Sequence, residues 1–180
     1  MPLLTTRKTN NAFAPLVDRI NNKIRHWQSK LLTQVGRLTL IKSVLSPLTY
    51  YQMQTTILPR GVSELIDKSI CSFLWGDTPT QKHVHLLAWE TITKTKSSGG
   101  LGIRDTKYSN DAFLTNQAWR LWKNSNNLWT KFLKHKHFHN TEFLLSNSTR
   151  GSYSWKALLK GRELLTQGLK LMDCRKWPKD

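Results

Sequence analysis

The sequence predicts a mainly α-helical fold, and two observations lead to this prediction. Apolar residues recur three and four positions apart through most of the chain, which is the period of one buried helix face. The segment 83–88 has a different, alternating pattern, which predicts one short extended segment. Apolar residues make up 38% of the 180 and include eight tryptophans, so the chain has enough material for a hydrophobic core.

The strongest helical pattern lies between Trp27 and Ser46. Gly36 falls inside it at a cost of roughly 1 kcal/mol relative to alanine, so we expect another helix or a ligand backbone to approach closely there. Pro47 predicts a kink or a short break in the same helix. The apolar positions expected on its buried face are Leu31, Leu32, Val35, Leu38, Ile41, Leu45 and Leu48.

Other periodic segments predict helices before and after this one. The first begins near Asn10 or Asn11, and Thr33 marks a possible break between it and the next helix. Gly99, Gly100 and Gly102 match neither a dinucleotide-binding fingerprint nor a P-loop, so they predict a tight turn. The remaining helices are expected at about 63–74, 110–122, 128–133 and 154–169.

The charge of the chain points to a polyanionic partner. Lysine and arginine number 28 against 11 acidic residues, a formal net charge of +17, and nucleic acid is the commonest partner of such proteins. Residues 1–63 hold nine basic residues and one acidic, and residues 112–180 hold thirteen and four. The intervening residues 64–111 are neutral, with six of each. This distribution suits a bipartite contact surface, although a solvated surface without a partner is the alternative.

Four side chains on the first helix, those of Arg19, Lys23, Lys30 and the histidine His26, form one stripe, because they follow each other at spacings of four, three and four. Two more lie on the following helix. We predict that these helices contact the phosphates of a nucleic acid independently of its sequence. A helix flank kept in water by long side chains is the alternative for the stripe. The residues predicted to contact phosphate are Arg19, Lys23, Lys30, Arg37 and Lys42.

No catalytic residue, metal site or cofactor is predicted. His83 and His85 share one face of the extended segment, but no third metal ligand lies near them in sequence. Glu64 and Asp67 lie three apart and are expected on a solvated helix face. The two cysteines lack the spacing of a zinc site or a disulfide framework. Because no apolar run approaches the roughly 18 residues of a membrane span, we expect a soluble, intracellular protein.

Several short segments occur in a specific order. They are Gly-Arg-Leu-Thr-Leu-Ile-Lys (36–42), Phe-Leu-Trp-Gly (73–76), Gly-Gly-Leu-Gly-Ile-Arg (99–104) and, after Asn110, Ala-Trp-Arg (118–120). Together they resemble the region after the polymerase palm in plant non-LTR (LINE-type) retrotransposon reverse transcriptases. Such proteins are often named ribonuclease H proteins or reverse transcriptase zinc-binding domain proteins. The resemblance covers about residues 2–160.

This resemblance implies an arrangement of regions and a partner. Residues 1–11 are a truncated N-terminal edge, 12–76 a thumb-like helical region, 77–104 a loop or extended linker with the glycine turn, 105–170 a helical connector and 171–180 an irregular tail. The thumb grips a template–primer duplex in the family, so the implied partner is an RNA–DNA hybrid or duplex, bound independently of sequence. The missing palm and fingers domain is a second implied partner. If the chain follows this family, it is expected in the nucleus.

The resemblance also implies what the chain lacks. Family polymerase chemistry needs two adjacent aspartates that hold magnesium, and no Asp-Asp pair occurs here. No zinc ligands carry over either. We therefore expect a non-catalytic fragment, although the parent family is an RNA-directed DNA polymerase that often carries ribonuclease H. The alternatives are a helical module whose apolar face met the palm, and an inactive remnant that binds no nucleic acid.

Overall fold

The prediction of a mainly α-helical fold is confirmed by the computed structural model, which describes residues 10–28, 32–78, 80–123, 126–137, 143–145 and 151–171. No strand occurs within these ranges, and the segment 83–88 is neither helix nor strand. The helices are α1 (Ala14–Gln28), α2 (Gln34–Leu40), α3 (Ser46–Thr55), α4 (Arg60–Trp75), α5 (Trp89–Ile92), α6 (Thr106–Lys123), α7 (Leu128–His137) and α8 (Tyr153–Leu171).

The chain divides into two compact units. Unit 1 consists of Met1–Gln52 and Leu58–Ser109, and unit 2 of Met53–Ile57 and Asn110–Asp180. In the parts of the chain that the structure describes, no helix is long and apolar enough to cross a membrane. The predicted edge 1–11 and tail 171–180 lie almost wholly outside the described residues.

Unit 1 is built around α4, which packs against α1 and α2. Pro15 lies in the first turn of α1, where its missing N–H leaves no intrahelical bond unmade. Gly76 ends α4 in a left-handed conformation with φ of 83°, which a residue without a Cβ adopts at no steric cost. The buried apolar residues of α1 and α4 are Leu16, Ile20, Ile24, Val62, Ile66, Ile70, Phe73 and Leu74.

The helix predicted between Trp27 and Ser46 is divided at Thr33. The Thr33 Oγ1 accepts the Gly36 N–H at 3.2 Å and so caps α2, which places Gly36 in the first turn rather than the helix interior. A Cβ at Gly36 would meet only Thr33 and Leu32 among the described residues, so the expected close approach of another helix is wrong. Val35 is 73% exposed and does not belong to the core, because the cap sets the direction of this first turn.

The interruption expected at Pro47 lies one turn earlier. Residues Ile41–Leu45 form a π-helical turn, in which the Ser46 N–H reaches the Ile41 carbonyl. The backbone at Leu40 and Ser46 is α-helical, so α2, the π turn and α3 are continuous, and Pro47, which has no N–H to donate, follows the π turn almost directly. Ile41 and Leu45 are both buried, as predicted.

Unit 2 has its own core, in which α6, α7 and α8 bury one face each. Asn110 is buried and donates its side-chain amide to the Met53 and Thr56 carbonyls, both at 2.9 Å, which fixes the short segment Met53–Ile57 against α6. The Tyr153 hydroxyl donates to the Ile57 carbonyl of the same segment. The buried cluster consists of Ala118, Leu121, Leu133, Phe143, Trp155, Leu158 and Leu165.

Candidate nucleic-acid interface

The predicted basic stripe of α1 is exposed where the structure describes it. Arg19 and Lys23 lie one turn apart beside the buried face of the helix, and both side chains are exposed. Lys30, the third predicted residue of the stripe, lies outside the described residues. A shallow depression follows this side of α1 and is lined by Pro15, Asp18, Arg19, Asn22, Lys23 and His26.

Arg37 has a different environment from the α1 stripe. Its half-buried guanidinium lies against the turn at the end of α4, so that a Cβ on Gly76 would fall 2.7 Å from Arg37 Cζ. The Gly76 and Asp77 N–H groups bond back to the Phe73 and Ser72 carbonyls in this turn. A cation near a helix C-terminus typically contributes 0.3–1 kcal/mol, so Arg37 stabilises the turn that ends α4.

Lys42 contacts the glycine turn. Its half-buried side chain donates from Nζ to the Leu101 carbonyl. Two hydrogen bonds hold the turn itself. The Leu101 N–H donates to the Ile92 carbonyl at 3.0 Å, and the Gly102 N–H donates to the Lys94 carbonyl at 3.2 Å. Gly102 has φ of 67°, which allows the chain to turn beside the lysine. Arg37 and Lys42 therefore both contact protein atoms, and their predicted phosphate contacts stay predictions.

These contacts join three of the segments that occur together in the sequence. Arg37 and Lys42 belong to the segment 36–42, and their partners belong to the segments 73–76 and 99–104. Sequence reasoning assigned the two charges to a ligand because nothing local shows that they have protein partners. The only signal in the sequence was that all three segments belong to the family resemblance.

Two tryptophans of unit 1, Trp27 and Trp75, pack against other rings. Both are half-buried. The Trp27 ring packs on Phe73 with centroids 5.8 Å apart, and the Trp75 ring stacks on His85 at 6.0 Å. Their contacts are with rings of the protein.

A cysteine, a histidine and an aspartate lie together in unit 1, which the sequence did not predict. His85 Nε2 lies 3.0 Å from Asp77 Oδ2, and His85 Nδ1 lies 3.8 Å from Cys71 Sγ. Burial raises the pKa of the Cys71 thiol, and the Asp77 carboxylate raises it further. A raised pKa disfavours the thiolate, which is the nucleophilic form of cysteine. Within the described residues no group of histidine, cysteine and acidic side chains is arranged to hold a metal ion.

Asp67 is not on a solvated helix face, contrary to the prediction. It is half-buried, and its Oδ1 accepts the Thr106 N–H at 3.2 Å and the Thr106 hydroxyl at 2.6 Å at the start of α6. Burial raises the pKa of this carboxyl to about 6, despite the Thr106 hydrogen bonds that oppose the shift. Glu64 is exposed as predicted and pairs with Arg60 at 2.6 Å.

Two curated proteins of Arabidopsis thaliana are similar to the chain. One, named "Putative ribonuclease H protein", is 34% identical over 174 residues, which are 94% of this chain and 28% of that protein. The other, named "Uncharacterized mitochondrial protein", is 31% identical over 124 residues, which are 68% of this chain and 80% of that protein. No profile of a known protein family matches the chain. No solved structure matches it either.

The chain is thus a basic, mainly helical protein of a retrotransposon-related family. It belongs to the family of the Arabidopsis mitochondrial protein, most of whose length it covers. It spans little more than a quarter of the relative named for ribonuclease H.

Proposed function

We propose that unit 1 binds the phosphate backbone of a nucleic-acid duplex through the exposed stripe of α1, as the thumb-like region of a non-LTR reverse transcriptase. The observation that carries this proposal is the exposure of Arg19 and Lys23 on one side of α1. Two cations one helical turn apart suit successive phosphates, and their long side chains lose little packing when they turn toward a ligand.

The contacts of Arg37 and Lys42 support a division of roles among the predicted basic residues. Each lies within the protein against a turn, where it stabilises the fold of unit 1. Arg19 and Lys23 have no such position, since their helix faces water on that side. Binding is proposed because the exposed cations of α1 suit phosphate groups.

Salt dependence of binding tests this proposal. An RNA–DNA hybrid of about 20 base pairs is titrated with the chain at several salt concentrations, and the slope of log affinity against log salt is compared between the native chain and R19A/K23A. Each phosphate neutralised contributes about −0.9 to the slope on a B-form duplex, so the double variant is expected to flatten it by about 2.

A variant with the same loss of charge serves as the control. Lys68 and Lys82 are also exposed lysines of unit 1, and they line a depression that Arg19 and Lys23 do not touch. K68A/K82A is expected to change the slope by less than half as much. Equal slopes for the two double variants would show that only net charge matters. Absence of binding at low salt, with self-association instead, would favour the helical interaction module.

A further inference from the structure

The helix α7 in unit 2 has an apolar face directed away from its core. Its buried side consists of Thr130 and Leu133, with the His137 ring stacked on Trp155 at 4.0 Å. On the opposite side Leu128 is 82% exposed and Phe132 61% exposed, one turn apart. Single exposed apolar residues are normal on a protein surface, whereas Leu128 and Phe132 form an adjacent exposed pair.

The same helix is strongly basic. Lys131, Lys134 and Lys136 are exposed, and the helix contains no acidic residue. The Lys136 Nζ lies 5.7 Å from the centroid of the Phe132 ring, so a cation already accompanies the exposed aromatic face. An exposed ring with one lysine beside it, on a helix with two further exposed lysines, suits a ligand that offers both negative charge and flat apolar groups.

We propose that this face of α7, defined by Phe132 with Lys131 and Lys136, binds unpaired nucleic acid. A base stacks on the Phe132 ring while the two lysines contact the flanking phosphates. Unpaired strands offer their bases for stacking, whereas a duplex encloses them, and stacking on an aromatic side chain tolerates any base. The proposal does not depend on α1, because it concerns another unit and another form of nucleic acid.

The test uses a chain in which R19A/K23A removes the α1 stripe, so that the two proposals can fail separately. The probe is a fluorescent uridine oligomer of about 12 nucleotides, and its affinity is measured for that chain and with F132L or F132Y added. Loss of one stacked base is expected to weaken binding by about tenfold in the F132L chain, and the F132Y chain should retain it. Because Phe132 is exposed, neither substitution should lower the unfolding midpoint.

An abasic oligomer of the same length separates stacking from charge. It carries the same phosphates without bases, so we expect its affinity to be weak and equal for all three chains. Unchanged uridine binding by the F132L chain would overturn the proposal, because the lysines alone would then explain it. A glutamate-rich peptide that binds in a Phe132-dependent manner, when the oligomer does not, would also overturn it and assign the face to a protein partner.

Discussion

Replacing Gly161 by alanine is expected to lower the free energy of unfolding by about 2 kcal/mol. Gly161 is buried inside α8, where that helix crosses α6 in unit 2. A Cβ there would lie 2.6 Å from the carbonyl carbon of Leu114 and 3.1 Å from the Thr115 nitrogen, well inside van der Waals contact. Both are backbone atoms, so the helices themselves have to separate. Denaturant unfolding of the chain measures the effect.

Gly168 provides a matched control in the same helix. It is exposed, and a Cβ there would meet nothing within 4 Å among the described residues. Gly168→Ala should therefore stabilise the chain by about 1 kcal/mol, the usual gain for alanine over glycine in a helix. The two substitutions have opposite expected signs. Stabilisation by both would contradict the close crossing of α6 and α8.

The free energy of unfolding of the Asp67→Asn variant, relative to that of the native chain, is expected to increase as the pH rises. The pKa of Asp67 in the folded chain, about 6, lies above its ordinary value of 3.8. The contribution of Asp67 to stability is therefore present below about pH 4 and is lost as the pH rises through 6. An asparagine oxygen still accepts from Thr106 and does not ionise. Relative to the native chain, D67N should gain about 1 kcal/mol in unfolding free energy between pH 4 and pH 7, after allowance for solvent screening.

Denaturant unfolding at both pH values measures this gain. Glu64→Gln, which removes an exposed carboxylate from the same helix, reports the effect of losing a surface charge. If D67N instead lost stability as the pH rose, attraction between the Asp67 carboxylate and the start of α6 would outweigh its burial.

Helix periodicity predicted the elements whose burial follows one simple stripe. In α1 the apolar residues Leu16, Ile20 and Ile24 recur four apart and are all buried, and α4 has a similar buried stripe. A hydrogen bond at the start of α2 explains why the expectations for Gly36 and Val35 were wrong. The Thr33 cap places Gly36 in a first turn, so one hydroxyl of this kind can start a new helix within an apolar pattern.

The candidate site was less predictable, since its contacts join distant residues. Lys42 and Leu101 are 59 positions apart, and Asp67 and Thr106 are 39 apart. No periodicity within one element reports such pairs. The charge of Lys42 suggested a ligand, and only the fold shows that it donates a hydrogen bond to a carbonyl of the glycine turn. Arg19 and Lys23 were predictable because a helical stripe determines their position.

The contacts of Arg37 and Lys42 physically link the three segments 36–42, 73–76 and 99–104. The turns at Gly76 and Gly102 have positive φ angles, and each turn lies beside one of the two cations. A change in one segment therefore alters the partner of another. Such coupled contacts belong to the folding of unit 1 whether or not it binds nucleic acid.

Acetylation of individual lysines, with and without the RNA–DNA hybrid, tests the central claim most directly. Brief treatment of the native chain with acetic anhydride, followed by peptide mass spectrometry, gives a rate for each lysine without any substitution. Lys23 should be acetylated several-fold more slowly when the hybrid is bound, and Lys68 at an unchanged rate. Lys42 should react slowly in both states, because its Nζ is bonded to the Leu101 carbonyl. Equal rates at Lys23 with and without bound hybrid would contradict binding through α1.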